Sequence, residues 1–217
     1  MFMNIAATID HTVLKPDSTL TDVQTVCVEA ITHRFASVCI LPWYVQRAHD
    51  ILAPEGIPVC TVVGFPLGAS TTSSKVAESE IALRQGAREI DMVASITALK
   101  SGLFDEVYDD IREVTQATHA LGGIVKVIIE TCLLTDDEKR RMCSIVTQAG
   151  ADFIKTSTGF STGGATLDDV RLLRQYVGPS VKVKASGGIR DRETALDMLE
   201  AGAERLGTSS GVKIIAS

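Results

Sequence analysis

Three short segments of the chain share one pattern: QGAREI (Gln85 to Ile90), AGADFI (Ala149 to Ile154) and AGAERL (Ala201 to Leu206). Each has a glycine where a helical pattern stops and an apolar strand-forming residue four positions later. A glycine there closes a helix in the left-handed conformation, so that the chain turns directly into a strand. One connection reused along the chain implies alternating helices and strands, and strands joined through helices run parallel.

Short β-branched runs recur at Thr8 to Thr12, Ser37 to Leu41, Val59 to Phe65, Glu89 to Val93, Val125 to Glu130, Phe153 to Thr156, Val181 to Ala185 and Arg205 to Thr208, giving eight candidate strands. Between them, Phe104, Val107, Tyr108, Ile111, Val114 and Thr118 repeat with the spacing of one helix face. The capping box Thr135-x-x-Glu138 opens another helix, which carries Met142, Ile145, Val146 and Ala149 and stops at Gly150. Eight such units in 217 residues fit a closed (β/α)8 TIM barrel, an α/β fold, better than an open doubly wound sheet. With 45% hydrophobic residues, six prolines and no low-complexity stretch, residues 1–217 are expected to form a single domain around one core.

Charge and cysteine usage narrow the function classes. The formal net charge is −6, with lysines and arginines scattered, which argues against nucleic acid and membrane surfaces as partners. No run of about 18 apolar residues is present, and MFMNIAATID has no basic segment ahead of an apolar stretch, so a cytoplasmic location is expected. Cys27, Cys39, Cys60, Cys132 and Cys143 form no C-x-x-C pair and have no histidines at ligand spacing; reduced core thiols and no metal are expected. His33, His49 and His119 fall in helical or loop contexts and read as surface residues, whereas His11, beside Asp10, is ambiguous.

A barrel of this kind carries its chemistry where strands end and the following loops begin. In chain order those positions hold Asp10 and Thr12, Asp91, Glu130 and Thr131, Lys155 followed by Thr156 in TSTG, Lys184 followed by ASGG, and GTSSG from Gly207 to Gly211. Lys155 in FIKTS and Lys184 in VKVKAS interrupt otherwise apolar or β-branched strands. Such lysines can extend to water or pair with a buried carboxylate for structural reasons. The chemical alternative needs a neutral amine: at a pKa of about 10.4 few lysines are neutral at pH 7, and a pKa near ~7 raises that fraction about a thousandfold. Desolvation and a neighbouring ammonium produce that shift, so two lysines in one lumen suit a nucleophile and its perturber.

Asp91 lies between Ile90 and Met92 and reads either as the salt-bridge partner of one lysine or as a proton-transfer group, two compatible roles. Asp10 could act similarly or cap the loop that follows it. The turns SGG (Ser186 to Gly188) and GTSSG follow the last two strands, where barrels often hold a phosphate on backbone N–H groups and hydroxyls; Ser209 and Ser210 add hydroxyls there. Neither a G-x-x-x-x-G-K-[ST] nor a strand-linked G-x-G-x-x-G is present, which disfavours a nucleotide.

Taken together, DHTVLKP (Asp10 to Pro16), VVGFPLGAS (Val62 to Ser70), EIDMV (Glu89 to Val93), KVIIET (Lys126 to Thr131), DFIKTSTGF (Asp152 to Phe160), VKASGGIR (Val183 to Arg190) and LGTSSG (Leu206 to Gly211) resemble the 2-deoxyribose-5-phosphate aldolase family of class I, Schiff-base aldolases. The resemblance implies reversible cleavage of 2-deoxy-D-ribose 5-phosphate to D-glyceraldehyde 3-phosphate and acetaldehyde, without metal or organic cofactor. It implies imine formation at Lys155, proton transfer by Lys184 and Asp91, and phosphate binding near Gly159, Gly187, Gly188, Ser209 and Ser210. Asp10, Thr12 and Thr156 are further expected substrate contacts. The chain departs from the family in VCILP, with Leu41 where asparagine is usual, and in DMVASIT, with Ser95 and Thr97 where asparagine and glycine are usual; both changes are expected to affect substrate positioning. Two other readings stay open: an isomerase or aldolase for a different sugar phosphate, and a non-catalytic sugar-phosphate-binding barrel. A homo-oligomer is expected, as for many barrel enzymes.

Overall fold

A computed structural model describes residues 4–216; residues 1–3 and 217, included in the expected domain, lie outside the described residues. Eight strands close into a barrel in chain order: β1 (Ile9–Val13), β2 (Ser37–Ile40), β3 (Val59–Val63), β4 (Ala87–Val93), β5 (Ile124–Ile128), β6 (Phe153–Lys155), β7 (Lys182–Ser186) and β8 (Arg205–Thr208). Every neighbouring pair is parallel, and β8 returns to β1 through Asp10 opposite Gly207. The helices are α1 (Leu20–His33), α2 (Val45–Leu52), α3 (Thr72–Arg84), α4 (Ile96–Lys100), α5 (Phe104–Ala120), α6 (Asp136–Gln148), α7 (Leu167–Tyr176), α8 (Arg192–Glu200) and α9 (Gly211–Ala216). The TIM-barrel expectation is met.

The repeated junction has the expected backbone. Gly86, Gly150 and Gly202 have φ of +108°, +77° and +113°, a region open to glycine at little steric cost. Gly86 has a second reason to lack a side chain, since a Cβ there would lie 2.2 Å from Cγ of His49. His49, like His33, is accordingly half-buried rather than on the surface, whereas His119 is exposed as expected. The Thr135–Glu138 capping box forms as expected at the start of α6.

Strand pleating sorts the side chains into two cores. Ile90 and Met92 of β4, Val125 and Val127 of β5, Ile154 of β6, and Val183 and Ala185 of β7 join the apolar layer under the helices. The alternate positions, Glu89, Asp91, Lys126, Lys155 and Lys184, meet one another through ion pairs inside the barrel. Several strands end earlier than their apolar runs suggest. Gly64 (φ +62°) and the cis Phe65–Pro66 bond end β3, and Glu130, at φ +52°, follows the end of β5.

Of the five cysteines, Cys27, Cys39, Cys60 and Cys143 are buried as expected, but Cys132 is exposed because it lies in the turn after β5, outside both cores. His11 is buried, its ring 2.5 Å from the Glu29 carboxylate. Among the described residues no helix is long and apolar enough to cross a membrane.

Candidate active site

The loops after the strands surround a cavity of about 770 Å³. Its wall includes Thr12, Lys155, Thr158, Gly159, Gly187, Gly188 and Ser209, together with Lys15 and Arg190. Lys155 stands at the end of a three-residue strand, is 3% exposed, and is the cavity's connection to the charges below it.

Those charges form one network. Lys155 Nζ and Lys184 Nζ both donate to Oδ2 of Asp91, each at 2.7 Å. Lys126 Nζ donates to the other oxygen, Oδ1, at 2.8 Å and contacts Glu89 at 2.6 Å. Asp10 receives Lys184, Arg205 and, at 2.7 Å, the Ser37 hydroxyl. Arg205 also reaches both carboxylate oxygens of Glu89, at 3.2 Å each. A buried charge is tolerable only when paired and hydrogen-bonded, and here each has at least one partner, Lys155 pairing with Asp91 and the others with two or more.

Burial opposes ionisation of Asp91, yet Lys126, Lys155 and Lys184 outweigh it and hold the carboxyl well below the usual carboxylate range. Burial likewise opposes the charge on Asp10, which Lys184, Lys126 and Arg205 overcome, again lowering its pKa. For Lys184, burial would favour the neutral amine, but Asp10 and Asp91 outweigh it and raise its pKa. Lys126 is raised well above the usual range against the same burial, chiefly by Asp91. In the resting protein Asp91 is therefore an anion at neutral pH, and Lys184 a cation beside Lys155.

Two features shape the approach to this network. Gly207 in β8 leaves room for Lys184, since a Cβ there would lie 2.9 Å from the Ser186 Cβ and 3.2 Å from the Lys184 Cε. Glu130 adopts a left-handed backbone, uncommon without glycine, and its carboxylate accepts from Thr158 Oγ1 at 2.5 Å and from the Thr158 N–H at 3.3 Å. That contact holds the loop that carries Gly159.

The glycine turns form the other end of the cavity. Gly159, Gly187 and Gly188 have φ near +86°, +85° and +85° and expose backbone to the cavity. A Cβ on Gly187 would sit 2.9 Å from the Gly164 Cα, so two loops meet there backbone to backbone.

The structure brings Lys155, Lys184 and Asp91 together. Thr12, Gly159, Gly187, Gly188 and Ser209 lie on the cavity wall, but Asp10, Thr156 and Ser210 do not. Asp10 lies beneath, as the partner of Lys184. Thr156 gives its hydroxyl to the Ser186 carbonyl and accepts from the Ser186 N–H, tying two loops together. Ser210 donates its N–H to Thr208 Oγ1 ahead of α9. Leu41 packs on an apolar group of Leu14, Cys39, Cys60 and Val62, and Ser95 caps α4 by accepting from the Ala98 N–H; neither is on the cavity wall. Sequence reasoning missed Lys126, Glu89 and Arg205 as members of the network. Lys126 in IVKVI had the same signature as the other two, a lysine in an apolar strand.

A closed parallel barrel with lysines and carboxylates gathered below the loop face has the layout of a barrel enzyme. The model of the DeoC/LacD family aldolases matches residues 4–216, and the chain belongs to that family. It is 55% identical over 213 residues to a deoxyribose-phosphate aldolase of Brevibacillus brevis, covering 98% of this chain and 96% of that protein. A deoxyribose-phosphate aldolase of Bacillus cytotoxicus is 57% identical, with 98% and 95% covered. Among solved structures, an aldolase designated QR15 superposes with a TM-score of 0.94 at 41% identity, covering 99% of this chain and 96% of that one. A deoxyribose phosphate aldolase from Aeropyrum pernix, described as a unique tetramer, gives 0.92 at 34%, with 98% and 90% covered.

Proposed function

We propose that the chain is a deoxyribose-phosphate aldolase that cleaves 2-deoxy-D-ribose 5-phosphate reversibly through an imine on Lys155. The observation that carries the assignment of roles is that, among the described residues of the charge network, Lys155 alone reaches the cavity wall, donating to Asp91 beside Lys184. The Lys155 amine attacks C1 of the open-chain sugar, and loss of water leaves the imine. Removal of the C3 hydroxyl proton lets the C2–C3 bond break, its electrons flowing into the imine to give an enamine and free D-glyceraldehyde 3-phosphate. Protonation at C2 and hydrolysis release acetaldehyde and return the amine.

Asp91 and Lys184 suit the proton transfers because their charges are complementary and held at bonding distance from each other and, through Asp91, from the nucleophile. The phosphate would bind at Gly159, Gly187, Gly188 and Ser209, which line the cavity and can offer backbone N–H groups and a hydroxyl. Thr12 would contact the sugar, whereas Asp10, Thr156 and Ser210 would act by holding Lys184 and the loops. The working unit is one barrel domain spanning the chain, assembled as a homo-oligomer and acting in the cytoplasm. Turnover of several sugar phosphates by the purified protein tests the assignment. Deoxyribose 5-phosphate is expected to be cleaved with release of acetaldehyde; preference for another sugar phosphate would overturn it.

A further inference from the structure

Strands β2 and β3 pair in register so that Cys39 lies opposite Cys60. Both thiols are buried, and their sulfurs and one Asp91 oxygen lie within 4.8 Å of one another. We propose that these two cysteines form a dithiol site that takes trivalent arsenic, entering as arsenious acid.

The choice of ligand follows from the charges around the sulfurs. A pair of cysteines beside a carboxylate would ordinarily suit a thiophilic divalent cation. Here Lys126 Nζ lies 3.3 Å from Cys60 Sγ, and Lys155 and Lys184 both hold the neighbouring Asp91. The carboxylates nearby, Asp10, Glu89 and Asp91, are each already paired with an ammonium or guanidinium group, so none is left to offset the charge of a dication. Arsenious acid is uncharged at neutral pH, so it needs no such offset. It is also small and hydroxylated, as is the sugar end of the ligand that the cavity is proposed to bind. Leu14 packs with both cysteines and also lines the cavity, which places the pair one side chain from the opening.

The reaction is a ligand exchange without redox change. Two As–S bonds form and two As–O bonds break; the two thiol protons leave with the two hydroxyl groups as two molecules of water. Arsenic stays trivalent and keeps one hydroxyl group. Bound there, it occupies the Oδ1 side of Asp91, where Cys60 Sγ now stands at 3.2 Å, and disturbs the contact with Lys126. Catalysis that depends on Asp91 is then lost.

Native mass spectrometry of the whole chain after arsenite treatment and removal of free arsenite tests the site without relying on catalysis. One arsenic per chain is expected, released by 2,3-dimercaptopropanol and retained in an equal thiol concentration of 2-mercaptoethanol. Cys60→Ala and Cys39→Ser should each abolish it, and Cys132→Ser should retain it. Absence of the adduct from the unaltered protein, its persistence in Cys60→Ala, or its loss in Cys132→Ser would overturn the proposal. If the buried-cysteine variants do not fold, X-ray absorption at the arsenic edge on the unaltered protein decides. Two sulfur neighbours and one oxygen are expected, and any other set would contradict the site.

Discussion

Lys155 and Lys184 donate to the same oxygen of Asp91, each at 2.7 Å, although the lysines come from neighbouring strands and the aspartate from a third. The two amines are thus no farther apart than twice that distance, and one anion orients both. Asp10 holds the second lysine from the other side, so Lys184 keeps its charge without drawing Asp91 away from Lys155.

Replacing Asp91 by asparagine preserves the side chain's shape but removes the anion that both lysines share. Loss of general acid–base assistance is expected to lower kcat by about 10²–10⁴-fold. Steady-state kinetics on deoxyribose 5-phosphate check this, and a variant with unchanged kcat would remove Asp91 from the chemistry.

Lys126 is buried completely and touches Asp91, Glu89 and Cys60 without reaching the cavity. Lys126→Met should leave buried carboxylates short of a partner and reduce stability by about 3–5 kcal/mol. Imine trapping on Lys155 should survive in folded Lys126→Met protein. Chemical denaturation of one portion and borohydride trapping on a folded portion read both effects on one preparation.

The network and the core thiols set the limits of pH stability. Asp10 and Asp91 have depressed pKa values in the folded protein, so their stabilisation is full above the unfolded carboxylate pKa of about 3.9 and is lost as pH falls further. On the alkaline side, burial pushes Cys27 up to about 11 and Cys143 up to about 12. The unfolded chain then releases thiol protons first, and stability declines from about pH 8.5 upward. The raised Lys126 and Lys184 add to that decline above about pH 10.4. Denaturation midpoints are expected to be nearly flat in this respect between those limits, and a steep change near pH 6 would contradict the assignment.

Two adjacent glycines separate backbone strain from contact. Gly187 and Gly188 share a φ of +85°, but only Gly187 has a neighbour within 3 Å of an added Cβ, the Gly164 Cα at 2.9 Å. Gly188→Ala should cost about 1–2 kcal/mol from its left-handed backbone alone. Gly187→Ala should cost more and raise KM further, because the two loops must part. Thermal melts and KM values for the pair test this, and the reverse ranking would place the phosphate turn elsewhere.

The barrel was legible because its signals are local: glycine helix stops, β-branched runs and the Thr135–Glu138 cap each act within a few residues. The lysine at 155 was legible because a charge in an apolar strand needs a reason. The network was less so. Arg205 and Glu89 meet across 116 positions, and each stands near the start of a strand, where a charge ordinarily reads as solvated. Thr156 and Ser210 have hydroxyls or amides in polar turns that suit a ligand, but the Ser186 carbonyl claims the Thr156 hydroxyl and the Thr208 hydroxyl claims the Ser210 N–H. Cys132 looked like its buried counterparts until the turn after β5 placed it outside.

Replacing Lys184 by methionine should slow imine formation without abolishing it, whereas Lys155→Arg should abolish it, since guanidinium stays charged. The most direct measurement is borohydride reduction of the protein with acetaldehyde, followed by peptide mass mapping. The reduced adduct is expected on the peptide containing Lys155 and to be absent in Lys155→Arg. An adduct found instead on Lys126 or Lys184, or none at all from active protein, would contradict the assignment of Lys155 as the nucleophile.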